Sequence, residues 1–512
     1  NMSRNNGILI FLLICSAFPT FIGCSPAKVE PGPQSTTITV SGTVTCGGKP
    51  LAGVAVSDGF SVVTTLSDGS YNIETDGSCG YVFVSMPAGY TVSERLGALG
   101  QFYRHINLSE NKQTADFVLK EQTGESFRAV VAADLHLANI NNAPLQFKQF
   151  CLPKMKADVS DAPGPVYGII LGDMGTESKW YSSGYDLNSY LKDIEPLGAP
   201  VFHVMGNHDN DPYLVGDWPS ASTFRSIMGP AYYSANIGKW HFLFLDNIVY
   251  RNAAGGQGSL KGISDYSPAL SSEGLDWTRK DMALVGKDTP VCICMHSSFD
   301  QMDQASRESL LGIISGYGKA IILSGHHHHS RYYQIADNIE EHNIPSVTGA
   351  TWESFGSLGI HICHDGVPGS YRVYDFDGKN VKWQQYAYDY DKSVQFRMYD
   401  MNKVPSEYGG EASSNKVLVN VFGWDSLWKV EASQGGTPLE VTRVYVNDPL
   451  YKMVYKIVYP EKTGGMYIPA NVSHMFSVTA TDAASTISLK VTDRFGNVWA
   501  EEFARPADFK ID

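Results

Sequence analysis

A layered α/β domain flanked by two all-β sandwiches is the fold class the sequence predicts, on three observations. In the middle of the 512-residue chain, apolar runs that read as buried strands alternate with longer segments, some of helical period. On either side the texture changes to short alternating runs broken by Gly-Gly, Asp-Gly and Pro. The 49 Gly and 28 Tyr suit β-rich structure with many turns.

Residues 1–24 read as an export signal. Arg4 supplies a thin positive start, and residues 8–14 are an apolar run too short to span a bilayer. Phe21-Ile22-Gly23-Cys24-Ser25 resembles a bacterial lipoprotein cleavage site. That implies an exported protein, lipid-anchored through Cys24 in the bacterial envelope; an ordinary secretory signal with an incidental Cys is the alternative. Residues 25–35 then read as a flexible tether.

Residues 36–122 carry the runs 38–40, 54–56 and 81–84 and read as the first β-sandwich. Lys49-Pro50-Leu51-Ala52-Gly53-Val54, followed by Asp68-Gly69-Ser70-Tyr71, resembles carboxypeptidase-regulatory or prealbumin-like modules, which implies a spacer. Cys46 and Cys79 each sit by a glycine and could pair in an oxidising compartment. Residues 123–390 are the α/β domain, with helical segments at 145–151, 187–194, 274–284 and 306–314. Cys292 and Cys294 lie two apart in one strand-like run there and read as buried hydrophobes. Residues 391–512 show β runs again at 417–422, 453–458, 476–479 and 486–491, which predicts the second sandwich.

Five apolar runs of the middle domain end in residues that can bind metal. Residues 128–133 lead to Asp134-Leu135-His136, and 166–171 lead to Gly172-Asp173. Residues 200–205 lead to Gly206-Asn207-His208-Asp209, 291–295 to His296, and 320–324 to Gly325-His326-His327-His328. In layered α/β proteins the site forms where the carboxyl ends of strands converge. The i, i+2 spacing of Asp134/His136 and of His326/His328 predicts both side chains on one face of an extended segment. Two carboxylates, an amide oxygen and several imidazoles suit two divalent transition ions rather than Ca²⁺. A shared carboxylate can hold such ions about 3.5–4 Å apart. Gly172, Gly206 and Gly325 let the backbone turn sharply and come close.

The blocks D-x-H, G-D, G-N-H-D, H and G-H-x-H, in that order from 134 to 328, resemble the calcineurin-like metallophosphoesterases. Gly229-Pro230-Ala231-Tyr232-Tyr233-Ser234, leading to His241-Phe242-Leu243-Phe244-Leu245-Asp246, is similar to the family's exported bacterial members. Asp365-Gly366-Val367-Pro368 resembles one of their signatures, and those members often carry a β domain on each side. The resemblance implies a layered metallophosphoesterase β-sandwich with flanking helices. It assigns Asp134, His136, Asp173 and His328 to a first metal, and bridging Asp173 with Asn207, His296 and His326 to a second. The ions would be Mn, Fe or Zn, and a hydroxide between them the nucleophile. His208 would stabilise the transition state or protonate the leaving oxygen, with Asp209 orienting it. Trp352, His364 and Asp365 fall where the family builds its substrate pocket.

The histidine register stays open on spacing alone, since His327 and His329 repeat it; only the preceding Gly325 favours 326/328. His203, His241 and His361 lie inside apolar stretches and read as core residues, and Asp246 suits a turn or cap as well as the cleft. The function expected is dinuclear-metal hydrolysis of a phosphodiester. Alternatives are a phosphomonoesterase or pyrophosphatase, or, from another class, a non-catalytic surface binder with a retained metal site. The partners expected are a small phosphate ester (nucleotide, lipid or glycan phosphate) and a membrane through the lipid anchor. Lys+Arg 39 against Asp+Glu 53 gives −14, which disfavours long nucleic acid. It says nothing against phosphate chemistry, because metal ions supply positive charge locally.

Overall fold

Strand Ser126–Ala132 sets the plan of the central domain. Ala129 and Val131 pack to one side of it and Val130 and Ala132 to the other, all buried. Burial on both faces is what parallel strands require. It pairs in parallel with Val166–Ile170, which pairs with Val201–His203. On its other edge it is antiparallel to Ser370–Asp377, which continues into Asn380–Ala387. A second sheet runs in the order Tyr233–Ile237, Trp240–Phe244, Val291–Cys294, Ala320–Ser324, Ile339–Asn343, Arg331–Ala336. The sheets meet through aromatic rings: Phe202 and Phe244 lie 5.0 Å apart, and Phe127 and Phe242 5.9 Å. This computed structural model describes residues 37–254, 260–263, 265–462, 464–465 and 467–511. The expected signal, tether and Cys24 lie outside the described residues.

Helices close the outer faces. Leu187–Ile194 buries Leu187, Tyr190 and Ile194 against the first sheet. Ser272–Met282 and Gln304–Ile314 bury Trp277, Leu310 and Ile314 against the second. Each starts at a side-chain cap: Asp186, Ser271 and Asp303 accept from the backbone N–H of Ser189, Gly274 and Ser306 at 3.0, 3.1 and 2.7 Å. The helix expected at 145–151 is longer. Ala143–Gln146 passes through a π turn, Phe147–Cys151, into Leu152–Ser160, and the irregularity precedes Pro153, which has no N–H to donate.

In the N-terminal module, Ile38–Cys46 is antiparallel to Ser70–Thr75 and parallel to Lys112–Thr114 and Phe117–Glu121. A second sheet holds Tyr103–His105, Tyr81–Val84, Ala55–Ser57 and Val62–Thr64. The module joins the catalytic layers directly, because Leu99 pairs with Val201 and adds Leu99–Gly100 and Arg95–Leu96 to that sheet. One hydrophobic cluster runs from Ile38 and Phe83 through Phe102 to Tyr233 and Trp277. Burying each such ring contributes about 1.5–3 kcal/mol, and Trp277 Nε1–H donates to Ser57 Oγ at 3.0 Å. Cys46 and Cys79 are free thiols; Cys292 and Cys294 are buried in the core.

The C-terminal module has two four-stranded sheets. One holds Phe396–Asp400, Lys416–Val421, Asn471–Thr479 and Val441–Asn447; the other holds Thr437–Leu439, Lys429–Gln434, Ile487–Thr492 and Val498–Phe503. The run 453–458, expected as a strand, is instead the end of helix Pro449–Val458. Asp448 caps that helix, accepting from Tyr451 N–H at 2.9 Å, and Pro449 occupies its first turn. Leu450, Tyr451 and Val454 form the buried stripe, which outweighs the strand propensity of Val, Tyr and Ile. No helix among the described residues is long and apolar enough to cross a membrane.

Candidate metal centre

The ends of the parallel strands bring the polar blocks together in loops with unusual backbone. Asp134, His136, Asp173, His326 and His328 all have φ between 46° and 72°. Side chains other than Gly, Asn and Asp rarely adopt that region, and such conformations concentrate at functional sites, where the fold must hold them. The ligand blocks therefore converge through left-handed turns just past the strands, which corrects the extended segments expected from the i, i+2 spacing. Close packing adds to this. At Gly172 (φ 90°) a Cβ would lie 2.5 Å from His296 Nδ1, and at Gly206 it would collide with Asp173.

Asp134 Oδ1 lies 3.6 Å from His328 Nε2, 3.9 Å from His136 Nε2 and 4.0 Å from His296 Nε2. Asp173 Oδ2 lies 3.5 Å from His136 Nε2 and 3.2 Å from His296 Nε2. Asn207 Oδ1 is 3.0 Å from His296 Nε2, and His326 Nδ1 is 3.1 Å from the same nitrogen. His136 and His328 face each other, Nε2 to Nε2, at 3.0 Å. His327 and His329 turn away, to Ser298 Oγ and to Arg331 Nε.

This donor set fits cations. His328 Nδ1 meets the Gly349 carbonyl at 2.9 Å and His296 Nδ1 the Leu171 carbonyl at 2.7 Å. Those bonds place the ring proton on Nδ1 and leave the Nε2 lone pair aimed at oxygen lone pairs. Asp134 Oδ1 is buried with no hydrogen-bond partner. Converging acceptors without donors need positive charge between them. Burial pushes the Asp134 carboxyl up to about 7 and the His136 imidazole down to about 3. For His296, burial is outweighed by Asp173 and Asp134, which raise it to about 9, so these carboxylates draw a positive charge, a proton or a metal ion, to its Nε2. Asp134, His136 and His328 form one cluster within 4.8 Å, Asp173, His296 and His326 another, and His136, Asp173 and His208 a third that overlaps both. Asp173 stands between them, and Asn207 adds an oxygen to the second. Divalent ions bound there supply Lewis-acid charge and lower the pKa of water.

His208 completes the third cluster, with its ring 4.9 Å from that of His136. Its backbone N–H donates to Asp173 Oδ1 at 2.8 Å. Its Nδ1 contacts Glu177 Oε2, and Glu177 is buried. Burial opposes charge on His208, but Glu177 and Asp173 outweigh it and raise the imidazole to about 10, so it carries a proton at neutral pH. The expected role of Asp209 is corrected here. Asp209 accepts from the backbone N–H of Asp173, Gly206 and Met174 at 2.7, 2.8 and 3.0 Å and ties the two ligand loops together. Asn207–Asp209 is a 3-10 turn, whose roughly three residues per turn send neighbouring side chains in different directions. Glu177, missed in the sequence, is the carboxylate on His208; its signal is its place four residues after Asp173, in the first turn of Glu177–Ser183.

Glu177→Gln removes that charge while keeping the shape. The raised value means the imidazolium persists up to about pH 10. Without the carboxylate the alkaline limb of the kcat/KM profile moves about 1–3 pH units towards neutrality. A pH–rate profile checks this, and an unmoved limb contradicts it.

A cleft of about 340 Å³ opens over His136, Asp173, Asn207, His208, His326 and His328. Trp352 lines it, its Nε1–H donating to the Leu135 carbonyl at 2.8 Å. Neither His364 nor Asp365 is among its lining residues, a correction to the expected pocket. His364 packs between Tyr451 and Tyr467, and Asp365 is consumed by the Ser330 and Val367 backbone N–H and by His474. The cleft instead receives three residues that sequence reading missed. Tyr266, on the hairpin of Ile248–Tyr250 and Tyr266–Pro268, places its Oη 3.4 Å from His326 Nε2. Lys179 lies on the His208 side, and Tyr467 reaches in from the C-terminal module. Asp246 accepts from Ile248 N–H in a turn. His203, His241 and His361 are buried on Tyr190, Asp281 and Asp389.

Fold and site together define a metal-dependent hydrolase built on layered sheets. Three family models match the chain in order: the N terminal of calcineurin-like phosphoesterase over 38–122, calcineurin-like phosphoesterase over 127–330, and the C terminal of calcineurin-like phosphoesterase over 341–499. The chain belongs to the calcineurin-like phosphoesterases and is a metal-dependent phosphoester hydrolase. Among solved structures it is similar to a dimetal phosphatase from Danio rerio (13% identity, 51% of this chain and 99% of that one, TM-score 0.34). It is also similar to a 5′-nucleotidase from Candida albicans SC5314 (10% identity, 51% and 50%, TM-score 0.30). Scores this low add nothing to the assignment, which rests on the three family models and the metal-ligand geometry. No curated protein matches the chain by sequence.

Proposed function

We propose that the protein hydrolyses a small phosphodiester with two divalent transition ions, Mn, Fe or Zn, at the Asp134–His328 site. The observation that carries this reading is the charge of the cleft. Beyond the metal ligands and His208 its cations amount to Lys179, with no arginine among the described lining residues. A monoester dianion calls for extra cations beside the metals, and Arg is the residue suited to bidentate contact with phosphate. A diester carries one negative charge and two organic groups, and the cleft offers aromatic surface for them: Trp352, Tyr467 and Tyr266 all line it. His208, held protonated by Glu177, donates a proton to the departing oxygen.

Turnover of bis(p-nitrophenyl) phosphate and of p-nitrophenyl phosphate with added Mn²⁺ tests this, with Asn207→Ala as control. The reading expects kcat/KM for the diester at least about tenfold higher. A higher value for the monoester replaces it with a phosphomonoesterase.

Tyr467 gives a further expectation. Tyr467 stacks on Tyr459 at 5.1 Å, and Tyr459 Oη meets Thr351 Oγ1 at 2.6 Å, next to Trp352. Tyr467→Ala raises KM for an aryl diester about three- to tenfold while kcat holds, the worth of one aromatic contact. Steady-state kinetics decides; an unchanged KM removes Tyr467 from substrate contact. The lipoprotein-like segment at Cys24 supports an exported, membrane-anchored protein acting on a nucleotide, lipid or glycan phosphate. Fatty-acid labelling lost in Cys24→Ala checks the anchor, and labelling retained refutes it.

A further inference from the structure

A second cavity, of about 380 Å³, opens where the histidine tract runs into the C-terminal module. It lies on the other side of the tract from the metal ligands, since His329 lines it while His326 and His328 line the metal cleft. Two arginines reach it without a carboxylate. Arg331 is held by neutral acceptors: its Nε–H donates to His329 Nδ1 at 3.2 Å and its Nη1–H to Tyr333 Oη at 2.9 Å. Arg443 lies over the Trp424 ring, 4.7 Å from its centroid. Neither forms an ion pair with the described residues, in a chain that carries 53 acidic side chains.

Asp365 is the one carboxylate among the described lining residues, and it is already spent. It is 1% exposed and accepts from Ser330 N–H at 2.7 Å, Val367 N–H at 3.1 Å and His474 Nε2–H at 3.1 Å. That leaves His474 Nδ1, in the same wall, as a buried acceptor with no partner. The remaining surface mixes aromatic rings with neutral polar side chains such as Gln334 and Asn471, and Tyr445 is 65% exposed. Arg331 Nη2 and the Arg443 guanidinium, which donate to no acceptor among the described residues, favour a carboxylate or sulfate, and the exposed Tyr445 ring favours the apolar side of another ring.

We propose that this cavity binds an acidic sugar, its carboxylate or sulfate held by Arg331 and Arg443 and its ring against Tyr445. The site is separate from the metal centre and does not depend on the phosphodiester reading.

Calorimetric titration of the full chain with D-glucuronate, D-glucose 6-sulfate, D-glucose and inorganic sulfate tests it, before and after chelation of metal. Both acidic sugars bind saturably and equally in either state, with glucose and free sulfate at least about tenfold weaker. Arg443→Ala and Arg331→Ala each weaken binding at least about tenfold, while Arg443→Ala turns over the aryl phosphoester at the wild-type rate and is thereby shown to be folded. The proposal is overturned if the acidic sugars do not bind, if chelation abolishes binding, if glucose or sulfate binds as tightly, or if both variants bind like the wild type.

Discussion

Asp173→Ala lowers kcat/KM for phosphoesters by about 10³-fold or more and cuts the bound metal to one equivalent or less. Asp173 lies nearer than Asp134 to both ligand clusters at once, 3.5 Å from His136 Nε2 and 3.2 Å from His296 Nε2. It also receives the His208 backbone N–H, so it sets where the acid stands. A bound ion contributes several kcal/mol of transition-state stabilisation, and each 1.4 kcal/mol or so is tenfold in rate. Losing the shared ligand therefore removes most of the rate. Kinetics and elemental analysis on the same sample check this together, and full metal content in the variant contradicts the sharing.

His208→Ala keeps both ions and lowers kcat by about 10²–10⁴-fold. His208 Nδ1 is taken by Glu177, and the Asp134–His136–His328 and Asp173–His296–His326 clusters are complete without it, so its removal leaves both intact. A proton donor matters most when the leaving oxygen is basic. The loss is accordingly larger for alkyl esters than for p-nitrophenyl esters, whose phenolate departs unaided. A loss that ignores the leaving group contradicts the acid role, and metal lost from the variant contradicts its place outside the donor set.

What the sequence showed plainly was whatever chain-local pattern determines. Buried parallel strands read as continuous apolar runs because both faces are covered, and the polar blocks stand out at their ends. The left-handed turns at Asp134, His136, Asp173, His326 and His328 were not legible, because the tertiary fold imposes that conformation against local preference. The exchange of Asp209 for Glu177 has a similar cause: adjacency in sequence suggested a partner, but a 3-10 turn points Asp209 into the backbone of the Asp173 loop. Helix Pro449–Val458 was legible in retrospect, since Asp448-Pro449 is a helix start that β-favouring residues masked. Leu99 on the catalytic sheet and Tyr467 in the cleft come from the flanking modules, across contacts too distant in sequence for any local pattern to reveal.

Asp134, His136, Asp173, Asn207, His296, His326 and His328 would together hold two ions that carry the hydrolysis. Titration of chelated protein with Mn²⁺, following bound metal and diester turnover on the same sample, tests it most directly. The expected result is two equivalents bound per chain, no turnover in the stripped protein, and activity that returns as the second equivalent binds. Turnover that survives complete removal of metal, or full activity with a single equivalent, would contradict it.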